Sequence, residues 1–197
     1  MNKNTEATGI EEDDALVMRA RLGNVDAIDQ WLRRDFPLVF RVCLGFLGNY
    51  ADAEDLAQES MIKLLDRLEK WSPEKSFRSW RNSVVANLCR DRLRQRKRTA
   101  FEMIDPDNLK PKIGITQPQQ NAESAELQST LIHALQSLSP REREVFVLRD
   151  LEGVPTAEVA TTLAVQESSV RSLLTLARRR LRDLLSKRLD VDGGNIA

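Results

Sequence analysis

Apolar residues recur every three or four positions along most of the chain, the spacing of a helix with one buried face. The segment EDDALVMRARLG opens with acidic residues and stops at Gly23, so it predicts a first helix. Residues 25–48 carry a longer stripe, in which Pro37 predicts a break or a kink. The residues of that stripe are Ile28, Leu32, Phe36, Val39, Phe40, Cys43 and Leu47.

Two more helices follow in the first half of the chain. DAEDLAQESMIKLLDRLEKW predicts a helix with Asp52 as its N-cap, and SPEKS predicts a turn after it. The expected inner face of that helix consists of Ala53, Leu56, Ser60, Met61, Leu64 and Leu68. FRSWRNSVVANLCRDRLRQRKR predicts a fourth helix, whose apolar positions are Phe77, Trp80, Val84, Leu88 and Leu93.

The pattern changes over residues 99–123, where prolines, a glycine and a glutamine run predict a linker. Helical spacing returns at Ser124. Ser139, Pro140 and Glu142 have the spacing of a capping box at the start of a helix that stops at Gly153. PTAEVATTLAV and the segment that follows it predict a short helix, a tight turn and a long helix, which is the helix-turn-helix layout.

These elements predict an all-α protein of two small helical domains joined by a flexible linker, the second domain containing the helix-turn-helix. The expected domains are residues 13–98 and 124–190, with an acidic tail over 1–12 and a short tail over 191–197. By pattern alone, the last three helices also fit a plain three-helix unit that binds no DNA.

Composition narrows the possible functions. Aromatic residues make up 5% of the chain, which favours helices over a β-sandwich. Cys43 and Cys89 are far apart in sequence and His133 is the lone histidine, so we expect buried reduced thiols, no metal site and no cofactor. No nucleophile–base pair or glycine-rich phosphate loop is present, which argues against an enzyme. Without a signal peptide or a long apolar run, the chain is expected to be soluble and cytoplasmic.

Charge is balanced overall but unevenly distributed. The chain has 30 Lys and Arg and 30 Asp and Glu. Residues 78–98 hold eight basic residues against Asp91 alone, and residues 171–188 hold seven against Asp183. Two separate basic patches predict two contacts with one polyanion.

Two surfaces in the first half have a functional and a plain interpretation. Arginines beside Phe77 and Trp80 suit single-stranded or unwinding DNA, but both aromatic residues lie on the apolar side and fit the core equally well. The outer face of the third helix carries Asp55, Glu59 and Asp66 with one apolar residue, Ile62. That face suits a protein partner, although most charged faces are simply solvated.

Three segments, in this order and spacing, resemble a bacterial sigma factor of the two-domain, extracytoplasmic-function type. They are DAEDLAQESMIKLL, FRSWRNSVVANLCRDRLRQRKR and LSPREREVFVLRDLEGVPTAEVATTLAVQESSVRS. The resemblance covers about residues 14–98 and 124–187. It implies that the first domain is like sigma region 2 and the second like sigma region 4. It also implies core RNA polymerase, promoter DNA and an anti-sigma factor as partners.

The resemblance assigns roles to individual residues. Polymerase binding would involve Asp52, Glu54, Asp55, Leu56, Gln58, Glu59 and the exposed Ile62. Opening of the downstream (minus-ten) element and capture of a flipped base would involve Trp71, Lys75, Ser76, Phe77, Arg78, Asn87, Arg90, Asp91 and Arg94. Recognition of the upstream (minus-thirty-five) element would involve Glu167, Ser168, Ser169, Arg171, Ser172 and Arg178. Catalysis would belong to the polymerase.

The long helix departs from the family pattern. Leu173 and Leu176 stand where relatives commonly carry arginines that face DNA, Gln166 replaces the usual serine-type cap and Ala164 the usual turn glycine. The leucines could weaken upstream binding, read thymine methyl groups by apolar contact, or serve a protein interface. The basic helix does not sustain the apolar pattern of a coiled coil, and its place in a helix-turn-helix argues against a membrane-surface helix.

One rival function remains open, a free-standing helix-turn-helix regulator that binds DNA as a dimer. In that model the long basic helix would form the dimer. The arginine-rich fourth helix and the acidic third helix would then have no role, which disfavours it.

Overall fold

The computed structural model describes residues 14–74, 76–102 and 122–193. In those ranges every regular element is a helix, which confirms the all-α class. The predicted acidic tail and most of the predicted linker fall outside the described residues, as does Lys75. No helix in the described ranges combines the length and the apolar character needed to cross a bilayer.

Two helices at the beginning of the chain are separated by a glycine turn. α1 includes residues 14–21 and ends as predicted before Gly23, which has a positive φ of 83°. α2 is Val25–Leu47, capped by the Asn24 side chain, which accepts a hydrogen bond from the Ala27 N–H at 2.8 Å. Of the break or kink predicted at Pro37, the break does not occur, because α2 continues through this residue. The helix tolerates the hydrogen bond lost at Pro37, and it packs against both α3 and α4 along its length.

α3 is Tyr50–Asp66, followed by a 3₁₀ turn at Leu68–Lys70. Its N-cap is Asn49, whose side chain accepts from the Asp52 N–H at 3.0 Å, so the prediction of Asp52 as the cap is wrong by three residues. The predicted inner face is confirmed: all six residues are buried. α4 is Phe77–Glu102 and continues past residue 98, where the sequence predicted the linker.

The second half contains four α-helices: α5 at Ala122–Gln136, α6 at Pro140–Phe146, α7 at Thr156–Leu163 and α8 at Glu167–Gly193. The capping box is confirmed, since the Ser139 N–H donates to Glu142 at 2.9 Å and the Glu142 N–H donates back to Ser139 Oγ at 3.4 Å. The helix predicted to reach Gly153 instead widens after α6 into a π-helical turn, Val147–Leu151.

α7 and α8 form the predicted helix-turn-helix. The turn between them passes through Ala164, which adopts the left-handed conformation with φ 52° and ψ 50°. Val159 and Leu163 of α7 are buried with Val170, Leu174, Ala177 and Leu181 of α8. This contact fixes the orientation of α8, so that the side of α8 facing away from α7 is exposed to solvent.

One hydrophobic core runs through both halves of the chain. In α2 the most buried large residue is Trp31, one position before the predicted stripe member Leu32. Cys43 and Cys89 are both fully buried and free, with their sulfurs 3.9 Å apart. The sequence predicted the buried thiols but not that α2 and α4 bring them together.

The two halves pack directly against each other. α2 contacts α5, α6 and the π-helical turn, and α4 contacts α7. At Gly45 of α2 the approach is so close that an added Cβ would lie 2.8 Å from Val147 Cγ2. Arg143 of α6 donates a hydrogen bond to the Phe46 carbonyl at 3.3 Å. The second half therefore covers one side of the first.

Candidate functional site

The segment that leads into α4 is fixed by a cluster of aromatic rings. Phe77 has its ring 5.4 Å from Trp71, 5.9 Å from Trp31 and 5.6 Å from Trp80. Trp71 and Phe77 are buried, as is Trp31, so these rings hold the segment in place. Arg78 is exposed, and Ser76 lies between core and surface.

The four candidate residues farther along α4 include three that are exposed, Asn87, Asp91 and Arg94. Arg94 is paired with Asp91. Arg90 is largely covered: its guanidinium donates to Asn87 Oδ1 at 3.1 Å and to the Thr162 carbonyl of α7 at 3.2 Å. It also lies 3.4 Å from the Glu144 carboxylate of α6.

The outer face of α8 carries short polar side chains. All the candidate residues of this helix are exposed: Glu167, Ser168, Ser169, Arg171, Ser172 and Arg178. Arg171 lies 3.5 Å from Glu167. Arg178 makes a bidentate pair with Asp150 of the π-helical turn, at 2.8 Å and 2.7 Å.

The two unusual leucines of α8 are in different environments. Leu173 is partly buried and packs against the core. Leu176 is 37% exposed, on the side of the helix that carries Ser172 and Thr175. Only Leu176 therefore belongs to the exposed face.

The acidic candidates on α3 fall into two groups. Asp52 is paired with Arg96 of α4, and Glu59 binds both Lys63 and Arg92, the latter at 2.9 Å. The hydrogen bond from Lys63, with the charges of Lys63 and Arg92, lowers the pKa of Glu59. The exposed residues on the outer face are Glu54, Asp55, Gln58 and Ile62. Leu56 is buried in the core.

An apolar groove, which was not predicted from the sequence, lies beside this acidic face. It has a volume of about 560 Å³ between α2 and α3, with Leu32, Phe36, Met61, Ile62 and Leu65 among its lining residues. Ile62 is 63% exposed. Leu65, three positions after Ile62, was the available signal, because residues at that spacing share a helix face.

In the described part of the chain, no cluster of three or more His, Cys, Asp or Glu side chains has a metal-binding arrangement.

Comparison with known proteins shows the family to which the chain belongs. The family models for Sigma-70 region 2 and Sigma-70 region 4 match residues 31–99 and 128–181. The chain is 32% identical to the ECF RNA polymerase sigma factor SigE of Mycolicibacterium smegmatis, over 92% of this chain and 69% of that protein. The chain belongs to the ECF sigma factors. It is accordingly an alternative sigma factor that directs promoter-specific transcription.

Further similarity extends over most of the protein. This sigma factor is 25% identical to SigW of Bacillus subtilis, over 86% of its own chain and 94% of that protein. Its fold is like that of the sigma factor RpoE from Bartonella quintana, solved in complex with the anti-sigma factor NepR. The TM-score is 0.69 at 22% identity, covering 82% of this chain and 98% of that one.

Proposed function

We propose that residues 13–98 bind core RNA polymerase and open the downstream promoter element, and that residues 124–190 recognise the upstream element. One observation carries this division: the basic helices α4 and α8 lie in different halves, and each has polar residues exposed along one face. Two contacts of this kind with one promoter are what sigma activity requires. The protein supplies addressing and strand opening, and the polymerase supplies catalysis.

Upstream recognition falls to the exposed face of α8. Ser168, Ser169 and Ser172 are short, so the helix backbone can come close to the floor of a major groove. Arg171 and Glu167 stand at the start of the helix, where such motifs reach base edges. Arg178, held by Asp150, is suited to a phosphate contact at a fixed position.

Downstream opening falls to Ser76 and Arg78, with Asn87, Arg90, Asp91 and Arg94 along α4. Unstacking a base costs a few kcal/mol, which a fitting pocket offsets only for the right base. The buried Trp71 and Phe77 support this by packing on each other in the core at the start of α4, rather than by touching the base.

Polymerase binding falls to the acidic face of α3 and the groove beside it. Glu54, Asp55 and Gln58 are exposed next to the apolar groove that contains Ile62. An apolar centre with a charged rim is typical of a protein–protein contact. Asp52 and Glu59 add negative charge while bound to arginines of α4.

We further infer that the protein acts in the cytoplasm, where transcription takes place, and that an anti-sigma factor controls it. The likeness in fold to a sigma factor solved with an anti-sigma factor supports this partner.

Run-off transcription with core polymerase tests the proposal. We expect the purified protein to bind promoter DNA weakly alone and to direct initiation at defined sites once core polymerase is added. Sequencing the transcripts would give the promoter consensus in the same experiment. Tight, specific DNA binding without polymerase, and no transcription with it, would instead support the dimeric regulator, which neither the family models nor the relatives favour.

A further inference from the structure

The first helix, α1, binds the backbone at the beginning of the segment that leads into α4. We call residues 71–74 and 76–78 the entry segment. The Arg21 guanidinium donates one hydrogen bond to the Trp71 carbonyl and another to the Glu69 carbonyl, each at 3.2 Å. Both carbonyls lie at the end of the 3₁₀ turn, where the helical hydrogen bonds stop and the backbone needs other partners. Arg21 therefore fixes the point at which the entry segment begins.

The same helix binds the other end of the entry segment. The Asp14 carboxylate accepts a hydrogen bond from the Phe77 N–H at 3.4 Å. Phe77 is the first residue of α4, and the first N–H groups of a helix have no partner inside it and favour a negative charge nearby. Its two neighbours are Ser76 and Arg78, which the proposed function assigns to strand opening. Asp14 therefore fixes the backbone between them.

The register of α1 puts both contacts on one side of the helix. Asp14 and Arg21 are seven residues apart, close to two helical turns, so they share a face and lie about 10 Å apart along the axis. Val17 and Ala20, which lie between them in sequence, are buried in the core. The two polar contacts are therefore made by a helix whose displacement would expose core residues.

The middle of the entry segment is exposed, so its ends decide its course. Ser72, Pro73 and Glu74 are exposed, whereas the rings of Trp71 and Phe77 are buried and pack on each other. The rings fix the side chains at the two ends, and α1 fixes the backbone there. A segment held in this way loses less conformational entropy when it binds a DNA strand.

Asp14 also lines a small cavity beside the strand-opening residues. The cavity has a volume of about 110 Å³, and Ser76 and Arg78 are among its other lining residues. α1 lies outside the part of the chain that matches Sigma-70 region 2, residues 31–99, so that match assigns these contacts no role.

We propose that Asp14 and Arg21 are positioning residues, which hold the entry segment in the conformation that captures a promoter base. They act through the backbone of Phe77 and Trp71 rather than on the base. The inference rests on the proposed function, because it takes the start of α4 to act in strand opening. A pocket of fixed shape offsets the cost of unstacking only for the right base, so a loosened entry segment should discriminate less between bases.

Two pairs of variants of the full chain test this role. Arg21→Ala removes both hydrogen bonds to the carbonyls, and Arg19→Ala, at an exposed arginine of the same helix, is its matched control. Asp14→Ala removes the acceptor at the start of α4. Asp14→Asn removes the charge but keeps an oxygen that can accept from the Phe77 N–H.

Base selectivity is measured by run-off transcription with core polymerase. The template is a promoter identified from its transcripts, carrying each of the four bases in turn at the most discriminating position of the downstream element. The readout is the ratio of initiation from the preferred base to initiation from the others. This ratio is independent of the amount of active protein, so a variant that is only less stable leaves it unchanged.

We expect Arg21→Ala and Asp14→Ala each to lower this ratio about fivefold, the effect of losing one hydrogen bond. Arg19→Ala should leave it within about twofold, and Asp14→Asn should keep a higher ratio than Asp14→Ala. Unchanged ratios in both alanine variants of the contact residues would overturn the proposal. An equal loss in Arg19→Ala would overturn it too, because the effect would then come from any lost charge on α1.

Amide hydrogen exchange of the free protein tests the contacts without polymerase or DNA. Asp14→Ala and Arg21→Ala should speed exchange about fivefold in a peptide that contains Phe77 and Arg78, and should leave peptides from α3 and α8 unchanged. Equal acceleration in all peptides would show that α1 only stabilises the fold, which would contradict a positioning role.

The two proposals can fail separately. If the unmodified protein directs transcription and the alanine variants keep its base selectivity, the positioning role is refuted and the proposed function stands. If the unmodified protein initiates at no promoter with core polymerase, the proposed function is refuted, and the positioning role with it.

Discussion

Leu176 is the exposed one of the two leucines at which α8 departs from the family pattern. An exposed leucine on the outer face of α8 offers DNA a methyl-bearing surface where an arginine would offer a charge. Leu173, which packs on the core, could not have been separated from it by sequence alone. Both leucines depart from the same family pattern, and they differ only in exposure, which the packing of α8 determines.

Restoring a cation at this position should strengthen DNA binding. We expect Leu176→Arg to tighten binding to duplex promoter DNA and to steepen its logarithmic salt dependence by about one unit, as one added phosphate contact does. Fluorescence anisotropy over a salt series measures both. Leu185→Arg, at another exposed leucine of α8, is the control. The same change in both variants would show that Leu176 has no special place.

The two neighbouring free cysteines, Cys43 and Cys89, should be unreactive toward thiol reagents in the native protein. Burial raises the pKa of the Cys89 thiol well above its ordinary value, so almost no thiolate forms at neutral pH. We expect Ellman's reagent to react with neither thiol in the folded protein and with both in guanidinium chloride. Rapid reaction of the native protein would mean that α2 and α4 separate readily.

At the scale of elements, the sequence predicts the order and kind of the helices because their periodicity is local. It errs where long-range contacts decide. The cap of α3 is a local exception, since Asn49 and Asp52 are both good caps and Asn49 is used. Pro37 stays inside α2, which packs against α3 and α4. Asp35 was assigned no role, yet it is fully buried on α2 against Arg81, 46 residues away. No local pattern can reveal such a partner.

The turn of the helix-turn-helix contains backbone strain that a substitution can relieve. Ala164 has a positive φ, which is unfavourable for a residue with a Cβ but not for glycine. We expect Ala164→Gly to raise the free energy of unfolding by roughly 0.5–1 kcal/mol, since the relief of strain exceeds the added entropy of the unfolded chain. Urea denaturation measures this. Destabilisation would contradict the assigned conformation.

The groove between α2 and α3 can be tested as the contact with core polymerase. We expect Asp55→Lys combined with Ile62→Glu to reduce binding to core polymerase at least about tenfold, because it reverses the rim charge and places a charge in the apolar centre. A pull-down with purified core polymerase measures it, and circular dichroism checks the fold. Glu69→Lys, at an exposed position outside the groove, is the control. Undiminished binding would place the polymerase contact elsewhere.

For the whole molecule, the arrangement of the halves could not be predicted from the sequence. Periodicity shows which face of a helix is buried, but not which distant helix covers it. Arg90 was assigned to DNA by its position in the family pattern, and the structure gives it a second partner in Glu144. Glu152 had no predicted role, because a glutamate before a glycine looks like an ordinary exposed helix end.

The free energy of unfolding should depend on pH through Glu152, which lies where the two halves meet. Burial raises the pKa of Glu152, and the charges of Arg41, Arg81 and Arg78 only partly oppose this. Glu152 therefore binds a proton at a higher pH in the folded protein than in the unfolded chain. Stability should rise as pH falls from neutral toward the unfolded value of 4.5, and fall again as pH is raised.

Urea denaturation across this range, with Glu152→Gln as the control, measures the effect. The pKa of Glu158 is also raised by burial, so the difference between the two proteins is the informative quantity. An identical pH dependence in both would show that Glu152 does not hold the proton.

The covering of Arg90 has a consequence for selectivity inside a cell. Guanidinium groups bind phosphates without regard to the sugar, so an uncovered α4 would attract messenger and ribosomal RNA as readily as a promoter strand. Here Arg90 of α4 is already paired with the Glu144 carboxylate and donates to the Thr162 carbonyl. We expect this pairing to lower the affinity of α4 for the RNA that surrounds the protein in a cell.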